Sequence, residues 1–200
     1  MTFDLAAALA AGYFVGGVPV AALVARAIGR DIFAVGSGNM GAMNTARNLG
    51  PLAGVVVLAL DLGKGALAAA IGIRMAVAAG IADPLAMGLA GGVGAVIGHA
   101  WSPYVRFRGG KALATAFGAT LPVVPWAGGA GVVLLIALTL IVRNATAASI
   151  ATLSLYPILT GAVLIRLGWP REDAFAAATA AALIALVSIV KHVRARRAST

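Results

Sequence analysis

Long, nearly uncharged apolar runs leave this chain few ways to fold. They lie near residues 3–25, 51–80, 84–98, 111–122, 126–142, 147–166 and 174–191. With 62% of the 200 residues hydrophobic and only 10% charged, a water-soluble domain has too little interior to hide so much apolar surface. In lipid each spanning segment must satisfy its own backbone polar groups, which favours helices. The expected fold is therefore all-α: a polytopic integral membrane protein of about seven membrane helices, forming a single membrane-embedded domain over residues 1–200. At a rise of about 1.5 Å per residue, the third and fourth runs are too short to cross alone, and they are expected to be tilted or half-buried. Pro51, Pro84, Pro122, Pro125 and Pro170 fall at run edges, where the first turn of a helix tolerates proline. The first run carries Asp4 in place of a basic leader and reads as a retained span, not a signal peptide.

Charge sets the expected orientation. If seven segments alternate sides, Arg26, Arg30, Arg47, Arg106, Arg108, Lys111, Arg143, Lys191, Arg194, Arg196 and Arg197 share one face with the single acid Asp31. The opposite face holds Arg166 and Arg171 against Asp4, Asp83, Glu172 and Asp173. The positive-inside rule puts the N-terminus outside and the C-terminus in the cytoplasm. The net charge of +9 is dispersed over short loops and a basic tail, which suits anionic headgroups and phosphate substrates and argues against nucleic acid as a partner. Cysteine is absent, which excludes disulfides, thiolate metal ligands and thiol nucleophiles.

Two glycine-rich loops would then meet on the cytoplasmic side. In the first, Gly36 to Arg47, the glycines Gly36, Gly38 and Gly41 allow backbone N–H groups to converge on an anion. Ser37, Asn39 and Asn44 add neutral hydrogen bonding, and Arg47 can clasp a phosphate with two parallel bonds. A lone Gly-Ser-Gly is more often a plain turn, but the added Asn39, Asn44 and Arg47 favour a phosphate cradle. It is not a Walker loop, since no Gly-Lys-Ser/Thr follows at the required spacing.

Asp61 and Lys64, three apart in the second run, share a helix face near the membrane interior. They read either as a mutually neutralising pair that helps helices pack or as part of a substrate site in a wet cavity. The second loop opens at His99 and closes at Lys111, with Arg106, Arg108, Gly109 and Gly110 between them. His99 is a candidate general base, or a donor to a phosphoryl or acyl oxygen. Trp101, Tyr104 and Phe107 read as interfacial anchors.

The order of these motifs resembles the bacterial acyl-phosphate:glycerol-3-phosphate acyltransferase family (PlsY). The resemblance rests on Gly-Ser-Gly-Asn-x-Gly-Ala-x-Asn ending at Arg47, then Asp61-x-x-Lys64-Gly65, then Gly98-His99 with Pro103, Phe107, Gly109-Gly110-Lys111 and Ala114-Thr115. It implies an enzyme of the bacterial cytoplasmic (inner) membrane, with its active site facing the cytoplasm. Such an enzyme moves a fatty acyl group from acyl phosphate to the sn-1 hydroxyl of glycerol 3-phosphate, giving lysophosphatidic acid and inorganic phosphate, with membrane lipids as surroundings and no metal or other cofactor. By the same resemblance Ser37, Asn39, Asn44 and Arg47 match a phosphate-binding motif, and Lys64, His99, Arg108 and Lys111 match further polar positions. His99, Ser37 and Lys111 are the expected catalytic residues. Gly36, Gly38, Gly41, Gly109, Gly110, Thr146, Ser149, Lys191 and His192 join the expected substrate contacts.

Departures are confined. Met43 stands where the family usually has Thr, Ala112 where it has Gly, Asn144-Ala145-Thr146 in place of a Tyr-Val-Ser loop, and Ala195 in place of Asn, and the sequence ends at Thr200 before a usual acidic residue. These keep open a divergent paralogue. A transporter or binding protein for a phosphorylated metabolite is the other alternative, but it predicts a second polar opening, and the outer loops at 80–84 and 122–126 carry almost no polar motif. A His-x4-Asp acyltransferase is ruled out, since five residues after His99 stands Tyr104 and five after His192 stands Arg197.

Overall fold

The computed structural model describes residues 2–197, with side chains through residue 194. Nine α-helices occur in it: α1 Thr2–Gly17, α2 Val20–Ala27, α3 Ala42–Leu49, α4 Pro51–Ala78, α5 Pro84–Ala100, α6 Leu113–Thr120, α7 Pro125–Val142, α8 Ala145–Arg166 and α9 Arg171–Arg197. Pro51, Pro84 and Pro125 occupy the first turns of α4, α5 and α7, as expected for a residue without an N–H.

Six stretches are long and apolar enough to cross a membrane, one fewer than the seven runs of the sequence. The missing one is 111–122, which yields only the eight residues of α6. That helix is about 12 Å long against a hydrocarbon core of about 30 Å. The first run also differs from expectation, because Val18 and Pro19 interrupt it between α1 and α2.

Interhelical contacts give the helix directions. Gly12 of α1 lies against Gly91 of α5 and Gly16 against Ala95, so α1 and α5 run parallel. Gly72 of α4 meets Met87 and Gly88, while Asp61 meets His99, so α4 runs the opposite way. Thr115 meets His99, Ala119 meets Gly92 and Val123 meets Gly88, so α6 and its following turn return antiparallel to α5. Short turns at 121–124, 143–144 and 167–170 separate α6, α7, α8 and α9. Lys191, late in α9, sits over the Trp101 ring at the end of α5, so the chain finishes at the opposite end of the bundle from where α1 begins.

Backbone-to-backbone packing through glycine holds α1, α4 and α5 together. A Cβ on Gly12 would overlap the Gly91 carbonyl, and one on Gly98 would overlap that of Tyr13. In lipid such close approach stands in for a hydrophobic driving force between helices. Large side chains face outward: Phe3 is 82% exposed, Leu140 71% and Phe175 75%, as suits a lipid-facing surface.

Candidate active site

Both glycine loops lie at one end of the bundle, beside the breaks that end α2 and α5. Part of the expected first loop is helical: Asn44 and Arg47 stand on α3, and only 35–41 is irregular. Gly36 and Gly38 have φ of 55° and 63°, the left-handed region where a Cβ is costly. A Cβ on Gly36 would also overlap the side chains of Asn44 and Asn48.

Asn44 explains how this path is held. Its Oδ1 accepts from the Ser37 N–H at 3.1 Å and from Asn48 Nδ2 at 3.0 Å, and its Nδ2 donates to the carbonyls of Val35 at 3.2 Å and Asn39 at 3.0 Å. Expected as a substrate contact, Asn44 is buried and turned into the loop. Gly41 starts α3 without a side-chain cap, and a Cβ there would meet only Asn39 Nδ2 at 3.4 Å. The first-turn amides of α3, at the positive end of the helix dipole, thus carry no side-chain cap. Ser37 and Arg47 are exposed beside them.

The second loop starts inside the helix bundle. His99 is in the last turn of α5 and only 3% exposed. Its Nδ1 lies 3.1 Å from Thr115 Oγ1 and 3.5 Å from Asp61 Oδ1. On the other edge of the ring, Nε2 abuts Gly110, whose missing Cβ would overlap it and lie 2.7 Å from the Met40 carbonyl. Gly110 N–H also donates to the His99 carbonyl at 3.1 Å, and a Cβ on Gly109 would overlap the carbonyls of His99 and Ala100. His99 therefore touches the second loop at Gly109 and Gly110, and Gly110 in turn lies against Met40 of the first.

Asp61 and Lys64 do share a face, and they pair at 2.8 Å. Lys64 Nζ donates a further bond of 2.8 Å to the Val18 carbonyl at the break between α1 and α2. Lys64 also lines an apolar hollow of about 410 Å³ with Val15, Val18, Val20, Leu60 and Leu67. A second hollow of about 380 Å³, sharing Val18 and Leu23, continues to Arg26 and Tyr104.

Cations lie in and beside the loops. Burial lowers the Lys111 pKa from 10.5, and the neighbouring Arg47 charge acts in the same direction. The Arg108 guanidinium stacks 3.9 Å above the Phe33 ring, tying the second loop to the turn before the first. Lys191 lies 5.5 Å from the Trp101 ring centre, and His192 is buried with Nδ1 2.8 Å from the Ser188 carbonyl. Thr146 and Ser149 begin α8, where Ser149 Oγ donates to the Ala145 carbonyl at 2.7 Å, inside its own helix. The side chain of Ala195 and residue Thr200 lie outside the described residues.

Asp61, read from the sequence either as half of a packing pair or as part of a substrate site, and Thr115, singled out only within a motif, both meet His99. Both were visible, Asp61 as a carboxylate inside an apolar run and Thr115 within a motif, but neither signal says which residue it meets.

A family model described as glycerol-3-phosphate acyltransferase matches residues 6–198. A protein of that name from Deinococcus radiodurans, glycerol-3-phosphate acyltransferase 1, is 40% identical over 184 residues, covering 92% of this chain and 88% of the relative. The glycerol-3-phosphate acyltransferase of Geobacter sulfurreducens is 34% identical over 92% of this chain and 87% of its own. Among solved structures, the glycerol 3-phosphate form of PlsY (YgiH), an integral membrane glycerol 3-phosphate acyltransferase, superposes with a TM-score of 0.78 at 28% identity, covering 96% of this chain and 90% of that one. Its lysophosphatidic acid form gives 0.77 at 26% identity, with the same coverage.

Proposed function

Because the chain belongs to the glycerol-3-phosphate acyltransferase family and is an integral membrane acyltransferase, we propose that it takes its acyl group from acyl phosphate and releases lysophosphatidic acid and inorganic phosphate. The observation that carries this reading is the convergence of two glycine loops, with Arg47 and Lys111 as electrostatic neighbours between them. Acyl phosphate is a mixed anhydride whose phosphate leaves readily once its charge is held. The protein therefore has to bind phosphate groups and align a hydroxyl.

In this reading the hydroxyl oxygen at sn-1 attacks the acyl carbonyl carbon, the carbon–oxygen bond to phosphate breaks, and the hydroxyl proton ends on the departing phosphate. No net proton is gained or lost. Ser37, Asn39, the uncapped amides of α3, Arg47, Arg108 and Lys111 hold the phosphates, with Gly36, Gly38, Gly41, Gly109 and Gly110 allowing close approach. His99, enclosed by Asp61, Thr115 and Gly110, orients the loop junction at which the hydroxyl is placed. The apolar hollow beside Lys64 receives the acyl chain. Lys191 and His192, late in α9, stand near Lys111 and Trp101 and would flank the same loops, with Thr146 and Ser149 at the start of α8 as further substrate contacts in this reading.

Arg26, Arg30, Arg47, Arg106, Arg108 and Lys111 gather at the loop end of the bundle, which favours a cytoplasmic site in the bacterial inner membrane. The test is release of inorganic phosphate from palmitoyl phosphate by purified protein, with lysophosphatidic acid followed in parallel. Release that requires glycerol 3-phosphate and matches the lipid formed is the expected result. Absence of turnover in folded, lipid-supplied protein would overturn the donor assignment.

A further inference from the structure

Resting on the reading of His99 as the residue that orients the loop junction, we propose that Asp61 is the positioning residue of the site, acting through His99 on the segment Gly109 to Lys111. Its side chain is 4% exposed and lies ten residues into α4, about 15 Å from the start of that helix. There it faces Lys64 at 2.8 Å and the His99 imidazole at 3.5 Å, while Thr115 of α6 approaches the same ring nitrogen at 3.1 Å.

Stability alone gives a poor reason for such a group. A buried ion pair is often replaced by well-packed apolar residues at no cost, because desolvating both charges offsets their attraction. A pair serving only packing would also have no need of a third partner. Here one carboxylate oxygen lies 3.5 Å from the single nitrogen that determines which way His99 presents its proton. If Nδ1 were unprotonated, its lone pair would face carboxylate oxygen at 3.5 Å, a repulsive arrangement in a low-dielectric interior. Asp61 therefore selects the form with the proton on Nδ1, and Thr115 Oγ1 shares it.

The ring plane is thereby set, and so is the position of Nε2 against Gly110. Lys111 follows directly in the chain, so the direction of one imidazole determines where this cation stands relative to Arg47. Lys64 completes the arrangement by neutralising the carboxylate and tying α4 to the Val18 carbonyl. Behind metal-bound histidines, the nearest measured analogue, such an orienting partner matters about 10- to 100-fold to the function it supports.

The chain has only two histidines, so imidazole signals can be read directly. Protein labelled with 15N-histidine in detergent micelles, with His192→Gln for assignment, is expected to show His99 protonated on Nδ1, and Asp61→Asn is expected to shift those resonances. Inorganic phosphate affinity, measured by titration calorimetry, is expected to fall about 10-fold or more in Asp61→Asn. The double variant Asp61→Asn with Lys64→Met removes both charges; it is expected to regain thermal stability but neither phosphate affinity nor the wild-type His99 signal. Recovery of phosphate affinity together with stability would reduce the pair to packing and overturn the proposal. Wild-type His99 protonated on Nε2 alone would overturn it without any variant at Asp61. Neither readout requires acyl transfer, so a protein that behaves as expected here yet fails to turn over palmitoyl phosphate would sink the donor assignment and leave the role of Asp61 standing.

Discussion

Gly110 lies so close to His99 that a methyl group on it would overlap the imidazole Nε2 and come within 2.7 Å of the Met40 carbonyl. Two loops from distant parts of the chain thus meet across a gap that only a hydrogen atom fits. Gly110→Ala must push the imidazole or the first loop aside, and a displacement near 1 Å at a reacting site costs about 100-fold in rate. Turnover is expected to fall at least that far. Gly129→Ala serves as the control, since nothing lies within 4 Å of its Cβ direction and α7 gains a better helix former. Equal activity in the two variants would remove the steric argument.

Lys111 gives the site an alkaline limit. Burial first, and then Arg47, lowers its pKa from 10.5, so the free protein begins to lose this charge below that pH. A bound phosphate favours the charged form and draws a proton back. Affinity for glycerol 3-phosphate should therefore be level below the lowered pKa and weaken as pH rises through it. A KM series from about pH 7 to about pH 10 checks this, because phosphate is already dianionic across that range. Lys111→Arg keeps its charge throughout and is expected to lack the alkaline rise in KM; the same rise in both proteins would point to another group.

Arg47 and Lys111 are expected to act as a phosphate clamp. Hydrogen bonds to charged groups are worth about 1.5–3 kcal/mol, so Arg47→Ala and Lys111→Ala should each reduce turnover about 10- to 100-fold. Arg47 is exposed, so folding should be unaffected by its removal, which a thermal melt can verify. Turnover left intact by either change would refute the clamp.

The Arg108 guanidinium, 3.9 Å above Phe33, joins the two loops from outside. An exposed cation–π contact contributes about 0.5–1 kcal/mol. Phe33→Leu should accordingly raise the KM for glycerol 3-phosphate about two- to fivefold and leave kcat nearly level. A kcat loss as large as the KM change would show that Phe33 acts on the chemistry itself.

Ala112 sits at φ 60° as the residue before α6. The left-handed conformation costs an L-residue about 1–2 kcal/mol, while the buried methyl returns about 0.8 kcal/mol. Ala112→Gly is therefore expected to stabilise the protein by under about 1 kcal/mol, read as a small rise in melting temperature. A clear fall would mean that the methyl packs better than its surface suggests.

Much of this architecture was legible in the residues alone. Apolar length announces a membrane helix because lipid forces each segment to satisfy its own backbone, and α4, α5, α7, α8 and α9 follow their runs closely. The glycines and cations at 36–47 and 98–111 were equally plain, since a positive φ or an exposed charge is a local property. The run at 111–122, too short to cross alone as its length implied, yields a helix of only eight residues because its apolar composition is shared between α6 and the turn that follows. Asn44 and Arg47 looked like loop residues because α3 is only eight residues long and polar overall, so no apolar run marks it as helical.

What the sequence could not contain is which buried polar groups find one another. Asp61 and Lys64 share a helix face by spacing alone, but whether that face meets lipid, water or His99 depends on how α4 and α5 cross. That crossing is set by glycine contacts such as Gly72 with Met87 and Gly91 with Ala68, distributed along both helices. The residues alone specify a helical membrane protein with two loops rich in glycine and cations, because burial and backbone conformation act over a few residues. Packing alone brings Asp61, Thr115 and Gly110 around one imidazole, with Met40 behind Gly110, because in a low-dielectric interior a polar group is satisfied only by the neighbours that packing delivers.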